Sequence, residues 1–413
     1  MDFDVFCSLA RTPRDGVLPD EATLLGELLD QAVLADQLGF GCLWVAEAHF
    51  SIQAQKAHDR PVMPHWDGEV GLNPDICQLA GAVFARTRRL EVGSAIMNIV
   101  GPGPLIAAER VSNFLAWHGL DLSESRRMNV GFASGRYDFV NRTYGLVPRS
   151  PAEAAAWSRI RGALLQEAAE IFVRLLQGEE LSADDVAPPT LSRTAVGDPE
   201  LFDALRVAPG GAVPGDEEHV AVARRWSFDR TRLVPGFRPE LLQLYAGTHL
   251  PSLQAYLNRF APVRVFNLSI TKPEDIERTH ERMVDVYHPA GGPWRRPYMP
   301  RTVFVFLNGD PRLTGRSQRA AAQARAEMAL TSYWIAMDGT LDPARLADSS
   351  SNAVVGNPAD VARQLRERFH PDDRVMLWFD FFRPSGETVL EEMTIFAEQV
   401  LPRLDRDEPV RAR

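Results

Sequence analysis

The stretch LADQLGFGCLWVAEAHF, Leu34–Phe50, decides the fold. Its first residues finish a helical pattern over Glu21–Leu38, Gly39 and Gly41 break that pattern, and Gly41–Ala46 is a short apolar run rich in strand formers. Helix, glycine turn and strand in that order, with no room for a hairpin, mark a parallel βα unit. The strand then opens into Glu47, Ala48 and His49. In such folds the strand C-termini carry the chemistry, because side chains from different strands converge there.

Outward from this unit the alternation repeats. Strands are predicted over Phe3–Leu9, Gly41–Ala46, Leu90–Ile96, Met128–Ala133, Leu241–Ala246, Val263–Ser269, Thr302–Leu307 and Arg374–Phe381. Helices are predicted over Glu21–Leu38, Pro74–Ala85, Leu105–Trp117, Ala152–Leu176, Pro251–Phe260, Pro273–Val286, Gln318–Ala336, Ala359–Phe369 and Val389–Leu401, several with Pro or Asp in the first turn. The fold class is therefore α/β, a (β/α)8 TIM barrel, with residues 1–413 read as one domain. Two stretches interrupt the rhythm. Residues 179–236, with APPTLSR and APGGAVPGD, form a long insertion after the fourth strand, read either as an active-site cover or as surface decoration. Residues 308–357 follow the seventh strand as a lid region.

Composition narrows the function classes. With 45 Lys and Arg against 55 Asp and Glu, the net charge of −10 disfavours nucleic acid or an anionic membrane as partner. No apolar run is long enough for a membrane span, and MDFDVFCSLARTP lacks the pattern of a signal peptide, so a cytoplasmic location is expected. Cys7, Cys42 and Cys77 show no C-x-x-C spacing and read as reduced, partly buried thiols.

The strand ends supply the candidates. The fifth ends in AGTHLPSLQAYL, where Gly247 permits close approach, Thr248 and Ser252 carry hydroxyls, and a helix starts at Pro251; these features suit a phosphate, but they are equally ordinary capping residues. His49 is placed to position a substrate or move a proton, or else to serve as a structural histidine oriented by Glu47. Arg136 and Tyr137 after the fourth strand suit a flat cofactor or a loop anchor. GPGPLIAAER, Gly101–Arg110, lacks the G-x-G-x-x-G spacing of a dinucleotide site, so no NAD site is read there and a redox enzyme built this way would need its reducing equivalents delivered to it.

Four segments extend the reading: LADQLGFGCLWVAEAHF, ARTRRLEVGSAIMNIVGPGPLIAAERV at Ala85–Val111, RRMNVGFASGRYDF at Arg126–Phe139, and VVGNPADVARQLRERF at Val354–Phe369. Together they resemble the luciferase-like, flavin-dependent monooxygenases, and FASG, Phe132–Gly135, is similar to the branch associated with natural-product biosynthesis. The resemblance implies FMN across the C-terminal mouth, its ring near Ala95, Ile96, Asn98 and Ala133, its phosphate near Gly247 and Thr248, with Ser134 and Tyr137 beside it. It implies a non-prolyl cis peptide at Ala95–Ile96; His49 and Asn98, at the ends of the second and third strands, are the catalytic candidates. It further implies reduced FMN and O2 acting through a flavin C4a-(hydro)peroxide on a small organic substrate, a separate flavin reductase, and a homodimer. Luciferases carry two consecutive histidines after the glutamate; here Ala48 takes the first place and His49 the second, and Ser134 replaces a phosphate-holding arginine. An apolar mouth of Phe50, Trp44, Met97, Trp378, Phe379 and Phe381 would keep water out.

Three rivals remain. One is an oxidoreductase on the same fold using the deazaflavin F420. Another is a metal-dependent barrel hydrolase drawing on His49, His58, His65, Asp67 and Glu69, although no metal site is expected from their spacing. The last is a flavin-binding protein without turnover.

Overall fold

The computed structural model describes residues 1–13, 16–57, 63–135, 137–268, 271–338, 352–382 and 386–404. Its strands are β1 (Asp2–Cys7), β2 (Cys42–Val45), β3 (Glu91–Asn98), β4 (Met128–Ala133), β5 (Thr190–Ser192), β6 (Ala212–Val213), β7 (Asp216–Ala221), β8 (Leu242–Ala246), β9 (Val263–Val265), β10 (Arg301–Leu307), β11 (Ala353–Gly356) and β12 (Arg374–Trp378). Nine form one sheet in the order β11-β10-β12-β1-β2-β3-β4-β8-β9. The pairs β12–β1, β1–β2, β2–β3, β10–β12, β10–β11 and β4–β8 run parallel. The α/β class and all eight predicted strands are borne out. The ninth strand, β11, is a correction, since it lies inside the 308–357 stretch read as a lid. The helix Gly315–Asp338 from the same stretch packs through Ala326, Ala329 and Leu330 against Phe304 and Phe306 of β10.

Local chemistry explains the first helix. Glu21–Leu38 begins where the Asp20 carboxylate accepts the Thr23 N–H and ends at Gly39, whose φ of 86° is the left-handed cap that glycine adopts without strain. The predicted Ala152–Leu176 helix is two, Pro151–Ala155 and Trp157–Leu176.

The chain forms two compact units: Met1–Ala95, Val265–Arg282 and Arg295–Arg413 in one, Ile96–Arg264 and Met283–Trp294 in the other. In unit one a parallel bridge joins Asn267, just after β9, to Arg301 at the start of β10. Beneath the strand starts, buried Asp4 pairs with Arg374 at 2.6 Å and accepts the Trp44 indole N–H at 2.7 Å. In unit two the 179–236 insertion carries its own antiparallel sheet, β5-β7-β6, and the helices Arg193–Val196 and Pro199–Val207.

Candidate functional site

In unit two partly exposed residues stand on or just after three strands, β3, β4 and β8. β3 is buried along most of its length, yet Ile96 is partly exposed; so are Ala133 and Ser134 at the end of β4, Gly247 and Thr248 after β8, and Tyr137 before the helix Asp138–Thr143. These are the positions that the sequence assigned to a cofactor, together with Asn98. Ala95, the remaining one, is buried in unit one at the boundary.

Asn98, a catalytic candidate from the sequence, is tied into the loops around it. It is buried, its Oδ1 accepts the backbone N–H groups of Val100 at 3.1 Å and Gly101 at 3.0 Å, and its Nδ2 donates to Asn141 Oδ1 at 2.9 Å. Backbone amides can only donate, so the orientation of the side chain is fixed by its partners. Asn141 Nδ2 in turn donates to Ser134 O at 3.0 Å, and Arg161 Nη2 donates to Gly135 O at 2.8 Å. A Cβ on Gly135, whose φ is +74°, would stand 2.6 Å from Asn98 Nδ2, so glycine is needed there on both counts. The two asparagines thus fasten the loop after β3 to the loop after β4. Asn98 is a positioning residue in this arrangement, and Asn141, absent from the sequence reading, is its counterpart.

The turn after β8 is also reinterpreted. A Cβ on Gly247 would stand 2.5 Å from Ile96 Cδ1, so the missing side chain makes room for Ile96 as well as for any ligand. Thr248 Oγ1 accepts the Leu250 N–H at 3.2 Å, and the helix that follows, Pro251–Leu257, is short. Its dipole adds little; the useful groups here are the Thr248 hydroxyl and the small Gly247–Ala133 surface. The peptide expected to be cis at Ala95–Ile96 is trans, and the cis bond among the described residues is Val234–Pro235. Arg136 lies outside the described residues.

In unit one the strand ends are held by a carboxyl that the sequence reading passed over. Asp380, just beyond β12, accepts the Ser8 N–H at 2.9 Å, the Ser8 hydroxyl at 3.0 Å, the Leu9 N–H at 3.3 Å and the Cys7 thiol at 3.1 Å. Burial pushes its carboxyl above the ordinary range while these hydrogen bonds pull the other way. Burial also raises the Cys7 thiol well above its usual value, with Asp380 adding to it, so this thiol stays protonated. Three non-glycine residues adopt positive φ after strands of this unit: Leu9 at 45°, Phe50 at 61° and Phe382 at 49°. Backbone strain of this kind gathers at sites where geometry matters more than stability.

His49 is buried, with its Nε2 3.1 Å from Oε1 of the equally buried Glu47. The expected mouth needs two corrections. Trp44 is fully buried with its indole N–H donated to Asp4, and Phe379 turns toward the helix layer, against Phe396 at 6.0 Å. Of the polar segment behind the metal rival, His58 lies outside the described residues, Asp67 pairs with Lys56 and Glu69 accepts from Ser51 and the Ile52 N–H. Among the described residues no three His, Cys, Asp or Glu side chains gather as metal ligands would, and no described helix is long and apolar enough to cross a membrane.

The family described as luciferase-like monooxygenase matches residues 1–192, which bears out the resemblance over that part. Among solved structures, monooxygenase RslO1 from Streptomyces bottropensis superposes with a TM-score of 0.64 at 20% identity, over 97% of this chain and 99% of that one. The oxygenating constituent of 3,6-diketocamphane monooxygenase from Pseudomonas putida, a type II Baeyer–Villiger monooxygenase in complex with FMN, gives 0.54 at 12% identity, over 97% and 98%. An F420-dependent secondary alcohol dehydrogenase in complex with an F420–acetone adduct gives 0.54 at 13%, over 98% and 99%. At these identities the likeness is one of fold. No curated protein matches the chain.

Proposed function

We propose that this chain, luciferase-like over residues 1–192, is a monooxygenase that takes reduced FMN and O2 and oxygenates a small organic molecule. The observation that carries the reading is the partial exposure of Ile96, Ala133–Ser134 and Gly247–Thr248 in unit two, at or after the buried C-terminal halves of β3, β4 and β8, with Gly247 against Ile96 and Ala133. Those residues fit the group. Ile96, Ala133 and Gly247 offer a low apolar surface for a flat ring, and the hydroxyls of Ser134, Tyr137 and Thr248 can donate to a ribityl chain or phosphate. The asparagine pair keeps the two loops around this surface in place.

Reduced FMN would supply the two electrons with which one oxygen atom enters the substrate and the other leaves as water. The chain's own contribution is position, dryness and proton handling. His49, oriented by Glu47, is the group in unit one suited to hold or move a proton at its imidazole. A separate reductase to deliver the flavin, a homodimeric state, a cytoplasmic setting and a natural-product substrate belong to the same reading.

The test is to supply the purified chain with chemically reduced FMN and O2 beside a panel of organic substrates. Oxygen uptake coupled to an oxygenated product supports the proposal. Hydride transfer with F420 and no oxygen uptake would put the deazaflavin reading in its place.

A further inference from the structure

Arg161 is a cation with only a shared and distant counter-ion. It stands in the second turn of the helix Trp157–Leu176, within unit two, with 21% of its side chain exposed. Its Nη2 donates to Gly135 O at 2.8 Å. The carboxylate beside it, Asp138, is already engaged: Oδ1 accepts the Trp157 indole N–H at 2.8 Å and Oδ2 accepts Arg142 Nε at 2.7 Å. Arg161 Nε is left 3.8 Å from Asp138 Oδ1, beyond hydrogen-bond reach, and has no acceptor of its own. No described residue accepts from Nη1 either. A guanidinium stays charged at every working pH, so holding one half out of water with a single neutral acceptor is costly.

Donors, and no free carboxylate, gather on the side that Arg161 reaches. β4 and β8 pair with Phe132 opposite Ala246, and carrying that register forward sets Ala133 level with Gly247 and Ser134 level with Thr248. The contact at Gly247 agrees, since a Cβ there would stand 3.4 Å from Ala133 Cβ. Thr248 Oγ1 accepts the Leu250 N–H, which leaves its own proton to donate, and Gln254 Nε2 holds Thr248 O at 2.6 Å. By gripping Gly135 O, the Arg161 guanidinium is anchored one residue from Ser134. Arg142 and Arg161 share the single charge of Asp138, so these three side chains keep one positive charge unbalanced. A neutral polyol would satisfy the hydroxyls and leave that charge as it is. A phosphate satisfies both, because its oxygens accept from hydroxyls and guanidinium together.

Resting on the FMN reading proposed above, we infer that Arg161 is the phosphate-binding cation of this site, acting beside Ser134 and Thr248, and that through it the chain selects the phosphorylated flavin over riboflavin.

The test is binding alone, without oxygen or substrate. The full chain is titrated anaerobically with reduced FMN and, separately, with reduced riboflavin, which shares the ring and ribityl chain but lacks the phosphate. The native chain is expected to bind FMN at least tenfold more tightly than riboflavin, with inorganic phosphate competing against FMN only. Arg161→Met should weaken FMN by about tenfold and leave riboflavin within about twofold; Arg161→Lys, which keeps the charge without the planar fork, should recover part of the loss. Circular dichroism checks that each variant is folded, and the native comparison of the two flavins stands without any variant. Equal affinity of the native chain for FMN and riboflavin overturns the inference. So does an Arg161→Met chain that binds FMN normally, or one that loses FMN and riboflavin equally, which would make Arg161 only a prop for the Gly135 loop. A native chain that binds neither flavin would sink the underlying reading instead.

Discussion

Asn98 Nδ2 donates to Asn141 Oδ1 at 2.9 Å, joining the end of β3 to a helix that follows β4. Through Asn98 Oδ1 the same contact fixes two backbone N–H groups, and through Asn141 Nδ2 it fixes Ser134 O. Removing the Asn98 amide leaves those buried groups without partners, which costs about 1–3 kcal/mol. Asn98→Ala should therefore lower the thermal midpoint and loosen FMN binding together. A normal midpoint with normal FMN affinity would show that the pair positions nothing.

Ile96 fills the space a side chain on Gly247 would need. Gly247→Ala is expected to push Ile96 toward the proposed ring surface and reduce FMN affinity by about tenfold, at a stability cost of about 1–3 kcal/mol. Isothermal titration with FMN before and after the substitution reads the effect. An unchanged affinity would mean that the ring lies elsewhere.

His49 and Glu47 face each other in a buried pair. If His49 handles a proton in the reaction, His49→Ala lowers kcat for oxygenation by about a hundredfold while FMN affinity stays within about twofold. Equal kcat in variant and native chain would leave the histidine a packing role only.

Glu167 carries a pH prediction. Burial pushes its carboxyl from 4.5 up to about 7, and the pull of Arg225, Arg224 and Arg149 only partly offsets this. Its Oε2 accepts the Arg225 N–H of the insertion at 3.4 Å, while the Arg225 side chain pairs with Glu153 at 2.7 Å. In the folded chain the carboxyl keeps its proton in a range where the unfolded chain has lost it. Folding stability therefore falls as pH rises from about 4.5 to about 7 and is level above that. Glu167→Gln removes this loss, so its gain in thermal midpoint over the native chain should grow between about pH 5 and pH 7 and then hold steady. A gain that shrinks with rising pH would contradict the assignment.

Local signals carried most of the fold. Helix Glu21–Leu38 was legible to the residue because its helical period stops at Gly39, and the structure adds the Asp20 cap at its start. β11 was not, because Ala353-Val-Val-Gly356 shows no alternation and leads straight into the Asn357–Pro358 helix start. What makes it a strand is its register with Phe304–Leu307 of β10, a distant partner in sequence. The site divides in the same way. Ile96, Ser134 and Thr248 follow from the rule that parallel strands end at the functional face. Asn141 and Asp380 do not, because each is defined by partners far along the chain, 43 residues away for Asn141 and 372 for Asp380 with Ser8. Trp44 was misread because the sequence places its backbone near the strand end, level with Phe6, but not the reach of its indole, which is buried against Asp4 two residues earlier on β1.

The central claim is that the partly exposed strand ends of unit two hold reduced FMN. Anaerobic titration of the native chain and of Thr248→Asp with reduced FMN tests it most directly. The account predicts saturable binding to the native chain and affinity lower by about tenfold when a carboxylate is placed beside the phosphate. No binding of reduced FMN to the native chain, or identical affinity in the two proteins, would contradict it.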